Sequence, residues 1–530
     1  MDTTDLIEIP TGIPRRLTKK YTENFGSFET WCAGHRAHQV LSVNACQGQR
    51  IGQISLPTGT GKTRVQIHLH VESMIEGAKI GDLGVYVIAS HRLALNAQLL
   101  DEMTKVLVAS GVPIDLFFIG SDRYSEDFVY EKFKNLGVQK GNMSVGSGTQ
   151  RGMIERAYES AMSNKRHLVC VSTYHSFAAL DAVPVLKMCT YDEAHTLMSD
   201  EFREDIDKVK PKIQRNFFFT ATRRIMGDTG GMNDTDWFGN VLYEESPRAM
   251  IDAGEIIPPK FHILRPTESG DFSNYSMLIR SVLEAFEKHK RYVKHFSCAP
   301  TTIGAKLLVS TTGNKELFEI HDDPDFRTHV TREGIDVFAF SSDKGCFVNF
   351  VTQPRAEVVR RMRGLPDTAD ALLLHIDILT EGIDLPTITG VMPFRELGKA
   401  KLLQTIGRGA RLFPHDREML YNDSLKPGNY ESFVKPYCWI VLPEFFSSIG
   451  DADLMKERLF TIFNAYAIPV EEFMKSEQYI AVVDEDADRI TDRETTKHRD
   501  AVCEIDHIMQ DILFSRVNRD RLRELVEEDD

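Results

Sequence analysis

Residues 55–63, Ser55-Leu56-Pro57-Thr58-Gly59-Thr60-Gly61-Lys62-Thr63, combine an apolar lead-in, a glycine-bearing turn and a Gly-Lys-Thr triplet. Glycines let a backbone curl until several N–H groups point inward at phosphate oxygens. In such a curl Lys62 supplies a cation for the β- and γ-phosphates, and the Thr63 hydroxyl can hold Mg²⁺. A helix starting near Lys62 adds the partial positive charge of its N-terminus. Two further clusters follow: Tyr191-Asp192-Glu193-Ala194-His195 about 130 residues later, and Gln404-Thr405-Ile406-Gly407-Arg408-Gly409-Ala410-Arg411 about 210 after that. Asp192 at a strand end can reach Mg²⁺, directly or through water, while Glu193 orients and deprotonates an attacking water. His195 either couples hydrolysis to the rest of the chain or caps a turn. Arg408 and Arg411, three apart, are expected on one face of a helix, where two guanidiniums suit a γ-phosphate whose charge is redistributing. Together the three clusters imply a nucleoside-triphosphate motor.

Such groups need a rigid frame. Short apolar runs at residues 54–56, 85–89, 168–171, 187–191 and 217–219 alternate with helix-length segments. The rhythm returns at 305–309, 337–340, 371–376 and 389–392. This pattern predicts parallel sheets covered on both faces by helices. The fold class expected is therefore α/β, with two tandem parallel-sheet domains, one over residues 30–250 and one over 260–445. An N-terminal segment, residues 1–29, precedes them. The crossing between the domains is placed at Asp252-Ala253-Gly254-Glu255-Ile256-Ile257-Pro258-Pro259-Lys260, where Gly254 breaks a helix and two prolines stiffen the chain. Residues 141–150, rich in glycine and serine, are expected to form a mobile surface loop.

After residue 443 the pattern becomes helical and charged, and residues 446–530 are expected to form an acidic helical appendage. They hold about 22 acidic and 11 basic residues, so most of the chain's net charge of −15 resides there. That charge should repel phosphate, which disfavours a nonspecific nucleic-acid clamp in this segment. A brace for the second domain or a docking surface for a partner protein is expected instead. Leu454, Leu459, Phe460, Phe463 and Tyr466 fall at spacings that suit a buried helical stripe.

The chain of 530 residues exceeds what one core supports. Its 42% apolar and 27% charged content is ordinary for a globular protein. No run of apolar residues is long enough to span a membrane. Residues 1–20 lack the apolar stretch of a secretory signal, so an intracellular location, cytoplasmic or nuclear, is expected. The eight cysteines form no C-x-x-C pair, which lends little support to a zinc site and reads as reduced thiols.

With these motifs in order, the chain resembles the superfamily 2 helicases, above all the group of type III restriction motor subunits and phage branch-migration helicases. Residues 55–63 resemble motif I and 191–195 motif II in its DEAH spelling. Phe219-Thr220-Ala221-Thr222 resembles motif III, with Thr220 where many relatives have serine. Leu379-Thr380-Glu381-Gly382-Ile383-Asp384-Leu385-Pro386 resembles motif V and residues 404–411 motif VI. Residues 87–98 and 171–177 stand where motifs Ia and Ic line the nucleic-acid path, and 251–258 resembles the crossover of this group.

The resemblance implies two RecA-like domains that hydrolyse ATP with Mg²⁺ in the cleft between them. It implies that Thr58, Gly59, Thr60, Gly61, Lys62 and Thr63 bind the triphosphate, with Thr63 and Asp192 on the metal. It implies arginine fingers at Arg408 and Arg411 with Gln404 nearby, and ATP contacts from Gly382 and Asp384. Gln39 resembles the upstream glutamine that reads adenine. Arg92, Thr173 and Thr380 would track a nucleic-acid strand, although Ser90-His91-Arg92-Leu93 departs from the family's Pro-Thr-Arg. The expected function is an ATP-dependent helicase or translocase, with DNA favoured over RNA. The alternatives are a nucleic-acid-stimulated ATPase subunit without unwinding, an RNA helicase, a nucleotide-dependent scaffold, and a nuclease with an attached motor. For the last, Glu494-Thr495-Thr496-Lys497 has the wrong spacing for a nuclease cluster.

Overall fold

The computed structural model describes residues 28–90, 103, 106, 110–120, 145–198, 200–226, 230–264, 275–297, 302–311, 313–341, 344–376, 385, 387–393, 399–443, 462 and 466. The chain divides into two compact units. One comprises residues 1–245 with 417–425, and the other 246–416 with 426–530.

The first unit opens with two short helices, α1 (Phe28–Cys32) and α2 (Ala37–Cys46). Strand β1 (Ile51–Ser55) leads through the glycine turn into the long helix α3 (Lys62–Ile80). The remaining strands are β2 (Val85–Ser90), β3 (Ile114–Ile119), β4 (Val145–Ser147), β5 (His167–Thr173), β6 (Met188–Asp192), β7 (Asn216–Thr220), the small hairpin β8 (Ile225–Met226) and β9 (Gly230–Gly231), and β10 (Val241–Glu244). Apart from the hairpin they form one parallel sheet in the order β10-β1-β7-β6-β2-β5-β3-β4.

The central strands are buried on both faces, which is why their sequences read as unbroken apolar runs. Successive side chains alternate between two cores. Phe217 and Phe219 pack with Val65, Ile67, Leu69 and Met74 of α3. Phe218 points the other way, stacked on Tyr191 at 4.6 Å between ring centroids and packed with Phe177 and Trp237. The unit is therefore a three-layer sandwich.

The second unit repeats the plan. Its strands are β11 (Pro259–Leu264), β12 (Lys306–Ser310), β13 (Asp336–Ser341), β14 (Gly345–Val348), β15 (Val351–Gln353), β16 (Ala371–His375), β17 (Gly390–Pro393) and β18 (Cys438–Pro443). They are ordered β11-β18-β17-β12-β16-β13-β14-β15. Six are parallel, and β14 and β15 add an antiparallel edge. The α/β class with tandem RecA-like sheets holds, and every apolar run named above coincides with a strand. No helix among the described residues is long and apolar enough to cross a membrane.

Two expectations need revision. The wholly parallel second sheet was not anticipated to carry its antiparallel edge. That edge turns at Asn349 and Phe350, with φ of 46° and 69°, the left-handed pair of a tight hairpin. The Asn349 side chain accepts from Val337 N–H at 2.8 Å and donates to Asp336 at 2.9 Å, which anchors the turn. Residues 141–150 are not a loop throughout: Val145–Ser147 is the edge strand β4, paired with β3. Phe117 packs over Gly146, where an added Cβ would come within 2.9 Å of the ring, so glycine is needed inside the strand. The acidic appendage lies outside the described residues, except that Ile462 and Tyr466 are helical and buried.

Candidate nucleotide site

The phosphate turn is shaped by two left-handed glycines, Gly59 at φ 90° and Gly61 at φ 86°. A Cβ on Gly61 would lie 2.4 Å from Gln39 Nε2 and 2.7 Å from Arg36, so the close approach of α2 also requires glycine. That approach fixes the turn. Gln39 Nε2 donates to the Thr60 carbonyl at 3.0 Å, and His38 Nε2 meets the same carbonyl at 2.8 Å. The Arg36 guanidinium donates to it as well. Gln39 Oε1 meanwhile accepts the Arg36 N–H at 3.0 Å, capping the start of α2. Both ends of the Gln39 amide are thus engaged within the protein. Thr60 Oγ1 donates to the Pro57 carbonyl at 2.7 Å and closes the turn.

Helix α3 then runs down strand β6 in steps of one turn. Lys62 Nζ donates to the Leu56 carbonyl at 3.2 Å, inside the curl. Four residues on, Gln66 Nε2 donates to Asp192 Oδ1 at 3.0 Å. Four further on, His70 Nε2 lies 2.9 Å from Thr190 Oγ1. The spacing i, i+4, i+8 keeps all three on one helical face. Thr190 and Asp192 are two apart on a strand and share one sheet face. The helix that carries Lys62 therefore also sets the height of the Asp192 carboxylate.

The strand ends converge because the sheet is parallel. Ser55 at the end of β1 lies opposite Thr220 of β7, and Asp192 of β6 lies opposite Phe219. Such carboxyl ends are where ligands bind in open α/β sheets. Glu193 follows with φ of 53°, an unusual conformation for a non-glycine residue. His195 Nδ1 stands 3.0 Å from Thr220 Oγ1 and 3.5 Å from Glu193 Oε2. Thr220 Oγ1 donates to the Thr222 carbonyl at 3.0 Å, so it accepts from His195, whose Nδ1 carries the proton. His195 is thus a link between motifs II and III. Tyr174 donates its hydroxyl to the Asp192 carbonyl at 2.6 Å, and burial raises its pKa well above the ordinary value, so the donor stays protonated.

Thr63, in the first turn of α3, and Asp192 supply a hydroxyl and a carboxylate. Such hard oxygen donors fit Mg²⁺ rather than a softer ion. Thr173 ends β5, where its hydroxyl donates to Ser176 Oγ at 3.3 Å. Arg92, Thr380, Gly382 and Asp384 lie outside the described residues.

In the second unit, Gln404 and Arg408 lie on helix Lys399–Gly409, one turn apart and buried. Arg411 corrects the expectation of a shared helical face. The helix ends at Gly409, and Arg411 forms an isolated bridge with Ile256. Glycine is needed at the end because a Cβ there would stand 2.3 Å from Cys438 Sγ. The Arg411 carbonyl accepts from Lys435 Nζ at 2.8 Å, which holds the extended geometry.

Sequence reasoning passed over Gln66, His38, Arg36 and Tyr174. Only Gln66 carried a usable signal, its position one turn beyond Lys62.

Residues 27–225 match the family model described as "Type III restriction enzyme, res subunit". Two solved structures share the fold. The ATP-dependent Type ISP restriction-modification enzyme LlaBIII bound to DNA is 14% identical with a TM-score of 0.54, over 81% of this chain and 29% of that one. A nuclease-deletion mutant of the Type ISP enzyme LlaGI with a DNA substrate mimic is 14% identical with a TM-score of 0.51, over 81% and 28%. The chain thus spans less than a third of the length of either enzyme. No curated protein sequence matches it. The family match and the motif order support a helicase of superfamily 2.

Proposed function

We propose that this superfamily 2 helicase-type chain is a nucleic-acid-dependent ATPase that moves along or separates strands, with DNA as its preferred track. The observation that carries the reading is the single face of α3 that holds Lys62 in the phosphate turn and, through Gln66, the Asp192 carboxylate. A phosphate turn tied to an acidic strand end is what NTP hydrolysis requires.

In this reading the backbone of residues 58–63 and the Lys62 ammonium bind the β- and γ-phosphates. Thr63 and Asp192 hold Mg²⁺, which neutralises phosphate charge when bound. Glu193 takes a proton from the attacking water as its oxygen bonds to the γ-phosphorus and the bond to the β-phosphate oxygen breaks. Arg408 and Arg411 stabilise the charge that moves to the leaving oxygens, with Gln404 beside them, and Gly382 and Asp384 contact ATP. Gln39 first holds the turn, and it reads adenine only by giving up a bond it makes to Thr60. Arg92, Thr173 and Thr380 contact the strand, chiefly through phosphates, so base selectivity is modest. Residues 30–250 and 260–445 are the two motor domains, and the acidic appendage is a brace or a protein-docking segment.

DNA is preferred because the two Type ISP enzymes of like fold are DNA-bound and the matching family is a restriction subunit. The test is ATP hydrolysis by the full chain with single-stranded DNA, duplex DNA, forked DNA or RNA as activator. Stimulation by one of the DNAs above RNA is expected. RNA as the stronger activator would reverse the preference, and a rate indifferent to all four would remove the motor reading.

A further inference from the structure

Behind the phosphate turn lies a second convergence of chemically capable side chains. Cys32 ends α1, His35 occupies the turn into α2, and His68 sits on α3. Cys32 Sγ is 3.5 Å from His68 Nδ1, and His68 Nδ1 is 3.0 Å from His35 Nε2. All three donor atoms lie within 4.8 Å of one another. A tetrahedral ion with sulfur at about 2.3 Å and nitrogen at about 2.05 Å would set sulfur–nitrogen edges of about 3.5 Å and nitrogen–nitrogen edges of about 3.3 Å. We propose that Cys32, His35 and His68 form a site for a borderline-soft divalent transition metal, zinc in type, with water in the fourth position.

The surrounding groups fit this role. His68 Nε2 faces Glu72 Oε1 at 3.6 Å, the carboxylate behind a metal-bound imidazole that orients its ring. A metal on His35 Nε2 would take that nitrogen's lone pair and leave the ring's proton on Nδ1. In the metal-free tautomer Arg64 Nε donates to His35 Nδ1 over 3.3 Å. Arg64 does not need that bond, because its Nη2 donates to the Trp31 carbonyl at 2.7 Å and its guanidinium lies 4.4 Å from the Trp31 ring centroid.

Nitrogen and sulfur donors select against Mg²⁺ and for zinc-like ions, so this site is chemically separate from the one at Thr63 and Asp192. On binding, the Cys32 S–H bond breaks, a sulfur–metal bond forms, and the proton leaves to solvent. The ion would join the α1–α2 turn to α3. That turn precedes Arg36, His38 and Gln39, the three residues that grip the Thr60 carbonyl. The metal would therefore act as a staple on the element that shapes the phosphate turn.

The test uses the full chain, freed of metal by chelator dialysis and titrated with Co²⁺. One equivalent should bind with a thiolate-to-cobalt charge-transfer band and tetrahedral visible bands, both displaced by Zn²⁺. Cys32→Ser should lose the charge-transfer band. In wild-type protein, Zn²⁺ should slow iodoacetamide alkylation of Cys32 by about tenfold or more, read by mass spectrometry. That second measurement decides the matter if Cys32→Ser fails to fold. No saturable cobalt–thiolate band, an undiminished band in folded Cys32→Ser, or alkylation unaffected by Zn²⁺ would each show that the cluster is only a hydrogen-bonded aromatic core.

Discussion

Gln66 Nε2 donates to Asp192 Oδ1 at 3.0 Å, joining the helix that begins at Lys62 to the end of the strand that carries motif II. The bond spans 126 positions of sequence, yet it lies one helical turn from Lys62. It aims the carboxylate toward the end of the strand. Gln66→Ala should lower ATP turnover by about tenfold and raise the Mg²⁺ concentration needed for half-maximal rate, in line with losses from ligand-orienting partners. An unchanged Mg²⁺ titration would deny Gln66 that role.

His195 and Thr220 are expected to act as one unit, because the imidazole donates to the threonine hydroxyl at 3.0 Å. Loss of either breaks the same bond. The double variant His195→Ala with Thr220→Ala should therefore cost no more than the worse single variant, with a coupling of about 1 kcal/mol. The quantity to follow is the ratio of nucleic-acid-stimulated to basal ATPase rate. Strictly additive losses would mean that the two residues serve separate tasks.

Glu193→Gln should retain ATP binding and lose hydrolysis, since the amide cannot take the water's proton while Asp192 stays in place. Binding of a fluorescent ATP analogue, read beside turnover, separates the two effects. The backbone at Glu193 is left-handed, with φ of 53°, and glutamine, of the same length and branching, meets the same backbone constraint as the glutamate it replaces. Loss of binding together with turnover would contradict the division of labour between the two carboxylates.

Acid should weaken the first unit through His70. Burial pushes this imidazole down to about 3, while the unfolded chain has the ordinary value of 6.5. Between those values the unfolded state binds more protons than the folded one. The stability is therefore full above about pH 6.5 and is lost as pH falls toward about 3. His70→Gln can keep a bond to Thr190 without a titrating group. Between about pH 7.5 and about pH 5 the wild type should lose about 2 kcal/mol more than the variant in denaturant unfolding. Equal losses would show that His70 is not held neutral.

How far the sequence spoke for the structure depends on how local each signal is. The phosphate turn was readable because glycine, lysine and threonine must be contiguous to do their work. The central strands were readable because burial on both faces makes them apolar throughout. Strand β3 was not singled out. Asp115 interrupts its run, and its partner Arg166, 2.9 Å away in space but 51 positions away in sequence, helps to make that aspartate tolerable inside. The β14–β15 hairpin lacked the usual glycine, with Phe350 accepting a left-handed backbone while its ring packs on His321 and Arg327. Arg411 looked helical because spacing by three cannot register that Cys438 presses on Gly409 from a distant strand. Partners such as Gln66 and Asp192 become visible only once strand order is known.

The central claim is that residues 55–63 form the working nucleotide site. Its most direct test is the steady-state ATPase rate of Lys62→Ala beside wild type, under saturating single-stranded DNA. The ammonium donates at 3.2 Å to the Leu56 carbonyl inside the turn. No other lysine lies in the turn sequence to replace it on the phosphates. The account predicts a loss of about 10³-fold or more, with the fold retained by circular dichroism. Wild-type turnover in Lys62→Ala would contradict it.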